Sequence, residues 1–492
     1  MKMINKYSFL EFEKCPVRGW FAHNSFQKSE LSIAEKFRIR QGIEIGKRAR
    51  NLFPGGILVE AMEPNEAVRD TSLLLNNQSV ETIFEPAFFD DNFIARADMV
   101  RKAQNGLEVY EVKSSLSTTS RIRDYIKDLA YTVMVIEDSG YRVSDAKLIL
   151  VSKDYRKGDE DSKLFDTVDV FNKVCEQKSD LYLKKTTAPG VINSSKRPDG
   201  KLSYTCRNCE YLSSCFNLKR EFSIFELPRF GKKKTELHLN EGIFYIKDVS
   251  IDDLKNDPKL LRVYRAITDG KTIVDGRDLL CEKLTSLQYP IGYLDFETVS
   301  TAIPLYNNIA PYERIPYQYS LHVLKKPGWI LEHKEFLFSN PSSDETYELA
   351  KQLVKDAKEC KTLMAHHAST EKSIILWLAD RFSNPELSNQ LKAMSDLLVD
   401  SQSLIENHVY HPEFHGSFSI KKVLPALVKE LSYEGMHIHN GDDAQYIFAN
   451  MALDNYPPGE MAEIRKDMLE YCKLDTLAMV EIHKKLIELA WN

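Results

Sequence analysis

The sequence predicts an α/β protein with more than one domain. Residues 80–114 alternate in the way that a series of strands does, and an apolar stripe with helical spacing follows at residues 119–140. A second strand pattern, at residues 291–298, is followed by further strands and by a long predicted helix at residues 461–489. The chain has 492 residues, which is enough for two to four domains.

The composition is that of a soluble globular protein, with 43% hydrophobic and 28% charged residues. The sequence has no run of about twenty apolar residues, and its first residues lack the apolar run of a signal peptide. We therefore expect a cytoplasmic protein that does not enter a membrane. The net charge of −6 means that nucleic-acid binding would depend on local basic patches or on metal ions at acidic sites. A basic stretch at residues 36–50 is either a solvated helix face or a contact for phosphates.

Two carboxylates lie two residues apart in the strand pattern at residues 291–298. Side chains alternate along a strand, so we expect Asp295 and Glu297 on the same face. Like charges on one face repel each other unless a cation lies between them, and hard divalent cations prefer oxygen ligands. By itself, the pattern Asp-x-Glu favours a solvated strand face, so the metal-binding interpretation depends on residues elsewhere in the chain.

Later segments supply those residues. Glu371 lies at the start of a helix predicted at residues 373–382, where acidic residues are common because of the helix dipole alone. Asp400 ends another apolar run. In the long C-terminal helix, Tyr471 and Asp475 are four residues apart and share one face. Core packing accounts for the tyrosine but does not account for an aspartate on the same face.

A second acidic cluster is predicted nearer the N-terminus. Asn105-Gly106 between two strand patterns predicts a hairpin turn, and that turn places Asp98 opposite Lys113. Glu111 would then project from the same face. Two carboxylates suit a magnesium ion, and the lysine suits the orientation of water or the stabilisation of charge on a phosphate. The alternative is a cross-strand ion pair on the surface of an antiparallel sheet.

Three of the eight cysteines fall within ten residues, namely Cys206, Cys209 and Cys215. Three thiolates leave a four-ligand site one ligand short, and Cys15 is the candidate for the fourth. In a reducing compartment metal ligation is expected before disulfides. Four thiolates fit either zinc or an iron–sulfur cluster, and their spacing does not choose between the two. The other cysteines are predicted to be core residues: Cys175, Cys281, Cys360 and Cys472.

Across residues 295–475 these motifs resemble the DEDD exonucleases of the ribonuclease-H-like superfamily, in the branch that has a tyrosine in its third motif. The resemblance rests on Asp295-Phe296-Glu297-Thr298, on His367 to Glu371, and on Tyr471-x-x-x-Asp475. It implies that Asp295, Glu297, Glu371 and Asp475 hold two divalent ions, Mg²⁺ or Mn²⁺, and that Tyr471 orients the attacking water. Glu371 stands where the family has aspartate, and Asp400 is an alternative ligand.

The first 222 residues resemble the RecB-like branch of PD-(D/E)XK nucleases that carry an iron–sulfur cluster. The matching residues are Cys15, Asp98, Glu111-Val112-Lys113, Cys206, Cys209 and Cys215. The resemblance implies an active site of Asp98, Glu111 and Lys113, and it favours a 4Fe–4S cluster over zinc. Asp128 and its neighbours occupy the stretch in which members often have a glutamine. Glu44 and Glu85 are weaker candidates for an additional acidic ligand.

The whole chain resembles an uncharacterised bacterial family that fuses these two modules. The expected organisation is a PD-(D/E)XK restriction-endonuclease-like domain at 1–222, a helical linker module at 223–288 and a ribonuclease-H-like DEDD exonuclease domain at 289–492. The resemblance implies a nuclease with two active sites, acting on DNA rather than RNA. Two alternatives stay open at this point: an RNA-processing exonuclease with a structural N-terminal half, and a non-catalytic nucleic-acid-binding protein whose sites have decayed.

Overall fold

The computed structural model describes residues 3–24, 31–438 and 440–491. The protein is a mixed α/β chain with several sheets, as the sequence predicts. None of the described helices combines the length and the apolar character that are needed to cross a bilayer.

The chain divides into two compact units. The first unit comprises Met1–Gly200 and Ser300–Glu313, and the second comprises Lys201–Val299 and Arg314–Asn492. These divisions differ from the boundaries predicted at residues 222 and 288. The reason is packing, because apolar residues of the predicted linker share one core with residues of the C-terminal part. That core includes Cys206, Phe225, Ile246, Val263, Leu280, Phe414, Val423 and Ile482.

The first unit is built from nine strands and seven α-helices within the described residues. Its strands are β1 (Ile4–Asn5), β2 (Ile57–Leu58), β3 (Thr82–Phe84), β4 (Ala87–Asp90), β5 (Phe93–Arg96), β6 (Met99–Ala103), β7 (Gly106–Leu116), β8 (Val143–Val151) and β9 (Phe165–Asp169). Its helices are α1 (Lys6–Lys14), α2 (Pro16–Asn24), α3 (Ile33–Ala49), α4 (Pro64–Asn76), α5 (Ile122–Asp138), α6 (Phe171–Lys185) and α7 (Ala188–Ile192). Short 3₁₀ helices lie at Arg50–Leu52 and Asp161–Leu164.

A six-stranded mixed sheet organises the first unit, in the order β2-β3-β6-β7-β8-β9. The central pair β7 and β8 is parallel, and β6 runs antiparallel to β7. Helix α5 packs its buried stripe, which includes Leu129 and Val133, in the same core as Val109 and Leu148 of the two central strands. The helix predicted at residues 119–140 is confirmed. Strand β1 joins β5 and β4 in a smaller sheet.

The second unit contains the remaining elements. Its strands are β10 (Ile273–Val274), β11 (Ile291–Val299), β12 (Ile315–Leu324), β13 (Glu332–Leu337), β14 (Thr362–Ala365), β15 (Leu398–Asp400) and β16 (Val409–Tyr410). Its helices are α8 (Leu212–Phe216), α9 (Lys232–Asn240), α10 (Ile251–Leu254), α11 (Pro258–Asp269), α12 (Arg277–Thr285), α13 (Thr346–Ala357), α14 (Ser369–Arg381), α15 (Pro385–Ser395), α16 (Ser401–His408), α17 (Ile420–Leu427), α18 (Gly441–Ala452) and α19 (Met461–Trp491). Four 3₁₀ helices lie at Tyr204–Asn208, Ile224–Glu226, Ile246–Asp248 and Pro412–Phe414.

A five-stranded sheet in the order β13-β12-β11-β14-β15 organises the second unit. Strands β13, β12 and β11 are antiparallel neighbours, whereas β14 and β15 run parallel to β11. The strand predicted at residues 291–298 is thus confirmed as the central strand, and the long C-terminal helix is confirmed as α19. Buried polar contacts fasten α19 to the sheet: Tyr293 and His483 Nδ1 are 2.7 Å apart, and Gln318 Nε2 donates to Met468 O over 2.8 Å.

Candidate active sites

The first candidate site starts on β11 in the second unit. Asp295 and Glu297 are two residues apart on this strand, and their residue partners on β12 are Ser320 and Gln318. The register of the two strands shifts directly after Glu297, which marks a bulge. The alternation of the strand places both carboxylates on one face, as the sequence predicts.

Two further carboxylates join this pair. Glu371 lies in the first turn of α14, which follows the parallel strand β14, and Asp475 lies on α19, which packs over the sheet. Burial raises the pKa values of Asp295 and Glu297 well above their usual values, and it is the largest cause. The charges of Asp475 and Glu371 raise both pKa values further. The charges of the other three carboxylates that the sequence selects therefore act on Asp295.

These four carboxylates repel one another in a dry environment. The exposed fractions of Glu297, Asp475 and Glu371 are only 8%, 7% and 4%. Burial and the charge of Asp400 raise the pKa of Glu371 to about 7, and burial raises the pKa of Asp475 to about 6. Oxygen Oε2 of Glu371 is buried and has no hydrogen-bond partner among the described residues. A group of like charges with an unpartnered oxygen fits divalent cations, which prefer oxygen ligands.

Cys472 completes the immediate surroundings of Asp295. Ligand atoms of Asp295, Glu297 and Cys472 lie within 4.8 Å of one another, which makes this the one such group of three within residues 3–24, 31–438 and 440–491. Cys472 is fully buried, as predicted, and its Sγ is 3.7 Å from Oδ2 of Asp295. Burial and the neighbouring carboxylates raise the pKa of its thiol, so the thiol keeps its proton and donates to Asp295.

Two tyrosines and a lysine enclose the carboxylates. The hydroxyl of Tyr433 donates to Oδ1 of Asp475 over 2.5 Å. A hydrogen bond from Tyr471 also lowers the pKa of Asp475, and burial together with the charge of Asp475 raises the pKa of Tyr471 itself. Nζ of Lys421 lies 4.9 Å from the ring centre of Tyr471 and 5.5 Å from that of Tyr433. Its charge stabilises the ionised forms of Glu297 and Asp475, because it lowers their pKa values.

Sequence reasoning missed Tyr433 and the role of Lys421. Lys421 belongs to α17 and Tyr433 to the segment between α17 and α18, and no spacing relates them to Asp295 or Asp475. Only the fold brings them to the site.

Asp400, the alternative ligand, is a helix cap. Its side chain accepts hydrogen bonds from the backbone N–H groups of His367 and Gln402, both over 3.0 Å, and from the hydroxyl of Ser403 over 2.6 Å. The bond from Gln402 N–H satisfies a backbone donor in the first turn of α16. With its oxygens so engaged, Asp400 acts on the site through the pKa of Glu371.

The second candidate site lies on the hairpin of β6 and β7 in the first unit, and the predicted register is wrong by two residues. Ala103 pairs with Gly106, so that Gln104 and Asn105 form the turn. Gly106 already belongs to the strand, and it is required there because a Cβ would lie 2.6 Å from the carbonyl oxygen of Arg142. A shift of two residues preserves the face, so Asp98 and Glu111, which the sequence predicts on one face, still project together.

Glu111 is held by two lysines. Oxygen Oε1 of Glu111 is 2.8 Å from Nζ of Lys6 and 2.8 Å from Nζ of Lys113, and Lys113 also contacts Asp128 at 2.9 Å. The two lysines lower the pKa of Glu111 to about 2 against the opposing effect of burial. Its other oxygen, Oε2, is buried without a hydrogen-bond partner in the described part of the chain. Because Asp128 contacts Lys113, it lies in this candidate site. It belongs to the segment in which the RecB-like nucleases named in the sequence analysis often have a glutamine.

Asp98 lies directly before β6, and its Oδ2 accepts the N–H of Val112 over 2.6 Å. Burial and the charge of Glu111 raise the pKa of Asp98 to about 7. Asp98 lines a cavity of about 370 Å³ together with Glu85, and the α3 residues Gly42 and Gly46 form part of the wall. Glu85 is nevertheless paired with Arg50 over 3.1 Å. The unpartnered oxygen of Glu111 beside a second carboxylate fits a single divalent cation.

The predicted cysteine ligands fall in both units. Cys15 caps the C-terminal end of α1 in the first unit. In the second unit, Cys206 and Cys209 are buried and belong to one turn, in which Cys209 N–H donates to Cys206 O over 3.1 Å, and Cys215 lies in α8. Thiols are the donors that an iron–sulfur cluster or zinc requires. The four-thiolate site stays a prediction.

Part of this chain is similar to known proteins. The family model described as Domain of unknown function (DUF2779) matches residues 292–419. That range contains Asp295, Glu297 and Glu371 and ends before Tyr471 and Asp475.

Three relatives, from two Mycoplasma species and one Ureaplasma species, share a stretch of similar sequence. Uncharacterized protein MG366 of Mycoplasma genitalium is 27% identical over 208 residues, which cover 39% of this chain and 31% of that protein. Its homolog in Mycoplasma pneumoniae is 24% identical over 219 residues, with the same coverage. Uncharacterized protein UU173 of Ureaplasma parvum is 24% identical over 222 residues, covering 40% of this chain and 31% of that protein. The match thus spans about a third of the length of each relative.

Proposed function

We propose that the protein is a metal-dependent nuclease that hydrolyses phosphodiester bonds of nucleic acid, with DNA preferred over RNA. The observation that carries this proposal is the group of four buried carboxylates in the second unit, Asp295, Glu297, Glu371 and Asp475, whose pKa values are raised. Such a group is stable in its ionised form only with bound cations. A cytoplasmic role in DNA repair or in defence against foreign DNA accords with this chemistry.

The strand order of the second unit supports a ribonuclease-H-like DEDD exonuclease. Its sheet has three antiparallel strands and two parallel ones, and the first acidic motif of the resemblance, Asp295 and Glu297, lies on the central strand. Glu371 lies at the start of a helix after β14 and Asp475 lies on the C-terminal helix, the two elements in which the sequence predicts them.

The protein's own residues prepare the site for this reaction. Divalent ions bound there would stabilise charge that develops on a phosphate and would supply hydroxide near neutral pH. Tyr433 and Tyr471 fix the carboxylate of Asp475 through their hydroxyl groups, which limits its rotation. Lys421 adds a positive charge beside the carboxylates and suits the approach of an anionic substrate. Tyr471 is the residue that we assign to orienting the attacking water.

For the first unit we propose a PD-(D/E)XK nuclease of the RecB-like type. Asp98 and Glu111 would hold Mg²⁺ or Mn²⁺, and Lys113 would stabilise charge on the phosphate. Their common face on the hairpin and the unpartnered Oε2 of Glu111 support this assignment. Cys15, Cys206, Cys209 and Cys215 would hold a 4Fe–4S cluster, for which zinc is the alternative.

One observation favours a second candidate for the first unit. Lys6 and Lys113 both occupy Oε1 of Glu111, and together they neutralise the carboxylate without a metal ion. This pairing supports a first unit that binds nucleic acid but does not cleave it, while the second unit performs hydrolysis. The two candidates predict different outcomes for Lys113→Ala.

A substrate panel tests the proposal. End-labelled single-stranded and duplex DNA, a circular DNA and single-stranded RNA are each incubated with wild type, Lys113→Ala and Asp295→Ala, in Mg²⁺, Mn²⁺ or chelator. Asp295→Ala should lower the rate of end-directed cleavage by at least about 100-fold. Chelator should abolish all cleavage. Retention of full activity by both variants would refute the assignments. Preference for RNA with an unaffected Lys113→Ala variant would favour the RNA-processing alternative.

A further inference from the structure

A cleft of about 1090 Å³ lies in the second unit beside the cysteine segment. Its walls come from residues within 209–222, from residues 245 and 247, and from residues 267 and 268 at the end of α11. None of these residues belongs to either candidate active site. The volume is slightly larger than the roughly 300–1,000 Å³ that is usual for small-molecule sites in proteins.

Three cations line this cleft, and we call them the cation group: Lys219, Arg220 and Lys247. All three are exposed. Arg220 is fixed to the wall, because its Nη2 donates to the carbonyl oxygen of Cys209 over 2.8 Å. Neither lysine forms an ion pair with any residue that the structure describes. Glu210 and Glu221 also line the cleft and leave it with an excess of one positive charge.

Two aromatic residues line the same cleft, and we call them the stacking pair: Phe222 and Tyr245. Their backbones are joined, because Ile246 N–H donates to Phe222 O over 2.9 Å and Ser223 is bridged to Tyr245. Phe222 is held at φ +60°, a left-handed conformation that is unfavourable for a bulky residue. A hydrogen bond of 2.9 Å from its N–H to Glu226 supports this conformation. Strain of this kind is concentrated at binding and active sites.

We propose that the cleft binds single-stranded nucleic acid, with bases stacked on the stacking pair and phosphates paired with the cation group. Every base has a flat face that stacks on an aromatic ring, and phosphates supply the counter-charge for exposed lysines and arginine. The combination of rings and cations in one cleft selects a nucleotide chain over a merely acidic polymer. The inference deepens the proposed nuclease function and rests on it, since it supplies a binding site outside the two sites of hydrolysis.

Fluorescence anisotropy with a labelled twelve-residue oligothymidylate tests this proposal. The full-length protein is used with chelator present, so that binding is measured without cleavage. Phe222→Leu keeps the apolar volume and removes the aromatic face, and it should weaken binding by about tenfold. Lys247→Glu should weaken binding and should reduce the slope of log Kd against log salt by about 0.7. The matched control is Lys361→Glu, which makes the same charge change at an exposed lysine that does not line the cleft.

Binding in chelator tests the cleft, whereas cleavage with Mn²⁺ tests the proposed nuclease function. Circular dichroism first verifies that each variant keeps the wild-type fold, and Tyr245→Leu replaces Phe222→Leu if the latter unfolds. Equal affinities and equal salt slopes for wild type, Phe222→Leu and Lys247→Glu overturn the cleft proposal, whether or not the protein cleaves DNA. Competition by polyglutamate as effective as that by oligothymidylate also overturns it. Selective loss of affinity in the cleft variants supports it, and cleavage measured separately with Mn²⁺ then decides the proposed function.

Discussion

Glu371→Gln should stabilise the metal-free protein at alkaline pH. Burial raises the pKa of Glu371 from its usual 4.5 to about 7 in the folded protein. The folded state therefore binds this proton more tightly than the unfolded chain does. The resulting stabilisation is complete below pH 4.5 and is lost as the pH rises through 7. At about 1.4 kcal/mol for each pKa unit, the loss is at most about 3.5 kcal/mol. Glutamine cannot ionise, so the variant escapes this loss.

Urea denaturation in chelator at pH 5, 6, 7 and 8 measures the effect. The free energy of unfolding of wild type should fall more steeply between pH 5 and pH 8 than that of Glu371→Gln. Glu359→Gln, at an exposed glutamate of the same unit, is the matched control and should follow wild type. Added Mn²⁺ should reverse the order at pH 8, because the ion binds the ionised carboxylate. Identical pH profiles for wild type and Glu371→Gln would refute the electrostatic reasoning.

Three other perturbations address the two units separately. Tyr433→Phe removes the 2.5 Å hydrogen bond to Asp475, and it should lower the free energy of unfolding at pH 7.5 by about 1.5–3 kcal/mol in urea denaturation; no change would exclude that contact. Gly106→Ala forces a Cβ to within 2.6 Å of a neighbouring carbonyl oxygen and should destabilise the protein by more than about 1 kcal/mol, whereas Gly42→Ala, in open space on α3, should not. Protein purified without oxygen should be brown and should lose its visible absorbance on Cys206→Ser; colourless protein with stoichiometric zinc would contradict the iron–sulfur assignment.

The central strand of the second unit was predictable because its signal is local. Apolar residues lead into Asp295 and Glu297, and alternation alone fixes the face that both carboxylates share. Tyr471 and Asp475 were likewise related by helix spacing. The grouping of these residues with Glu371 came from their resemblance to a known order of motifs, and the charges of Glu371 and Asp475 act on Asp295 in the structure.

Residues that reach the site through the fold alone could not be predicted. Lys421 and Tyr433 approach Asp475 from α17 and from the segment after it, and no periodicity relates them to β11. The hairpin register failed for a similar reason. Asn105-Gly106 favours a turn locally, but Gly106 is needed in the strand because the carbonyl oxygen of Arg142, directly before β8, approaches it closely. The ion pair between Lys6 and Glu111 also joins residues that are far apart in the sequence, so no local pattern could predict it.

Titration of metal-free protein with Mn²⁺ in a calorimeter measures directly whether the carboxylates of the second unit form a metal site. The experiment uses Glu111→Gln, which removes a proposed metal ligand of the first unit. It compares this variant with the double variant Glu111→Gln/Asp295→Asn. We expect the single variant to bind Mn²⁺ and to release protons at pH 6.5, because Glu371 and Asp475 have pKa values raised to about 7 and about 6. The double variant should lose this binding. Identical titration curves for the two proteins, or the absence of binding by the single variant, would contradict a metal centre at Asp295.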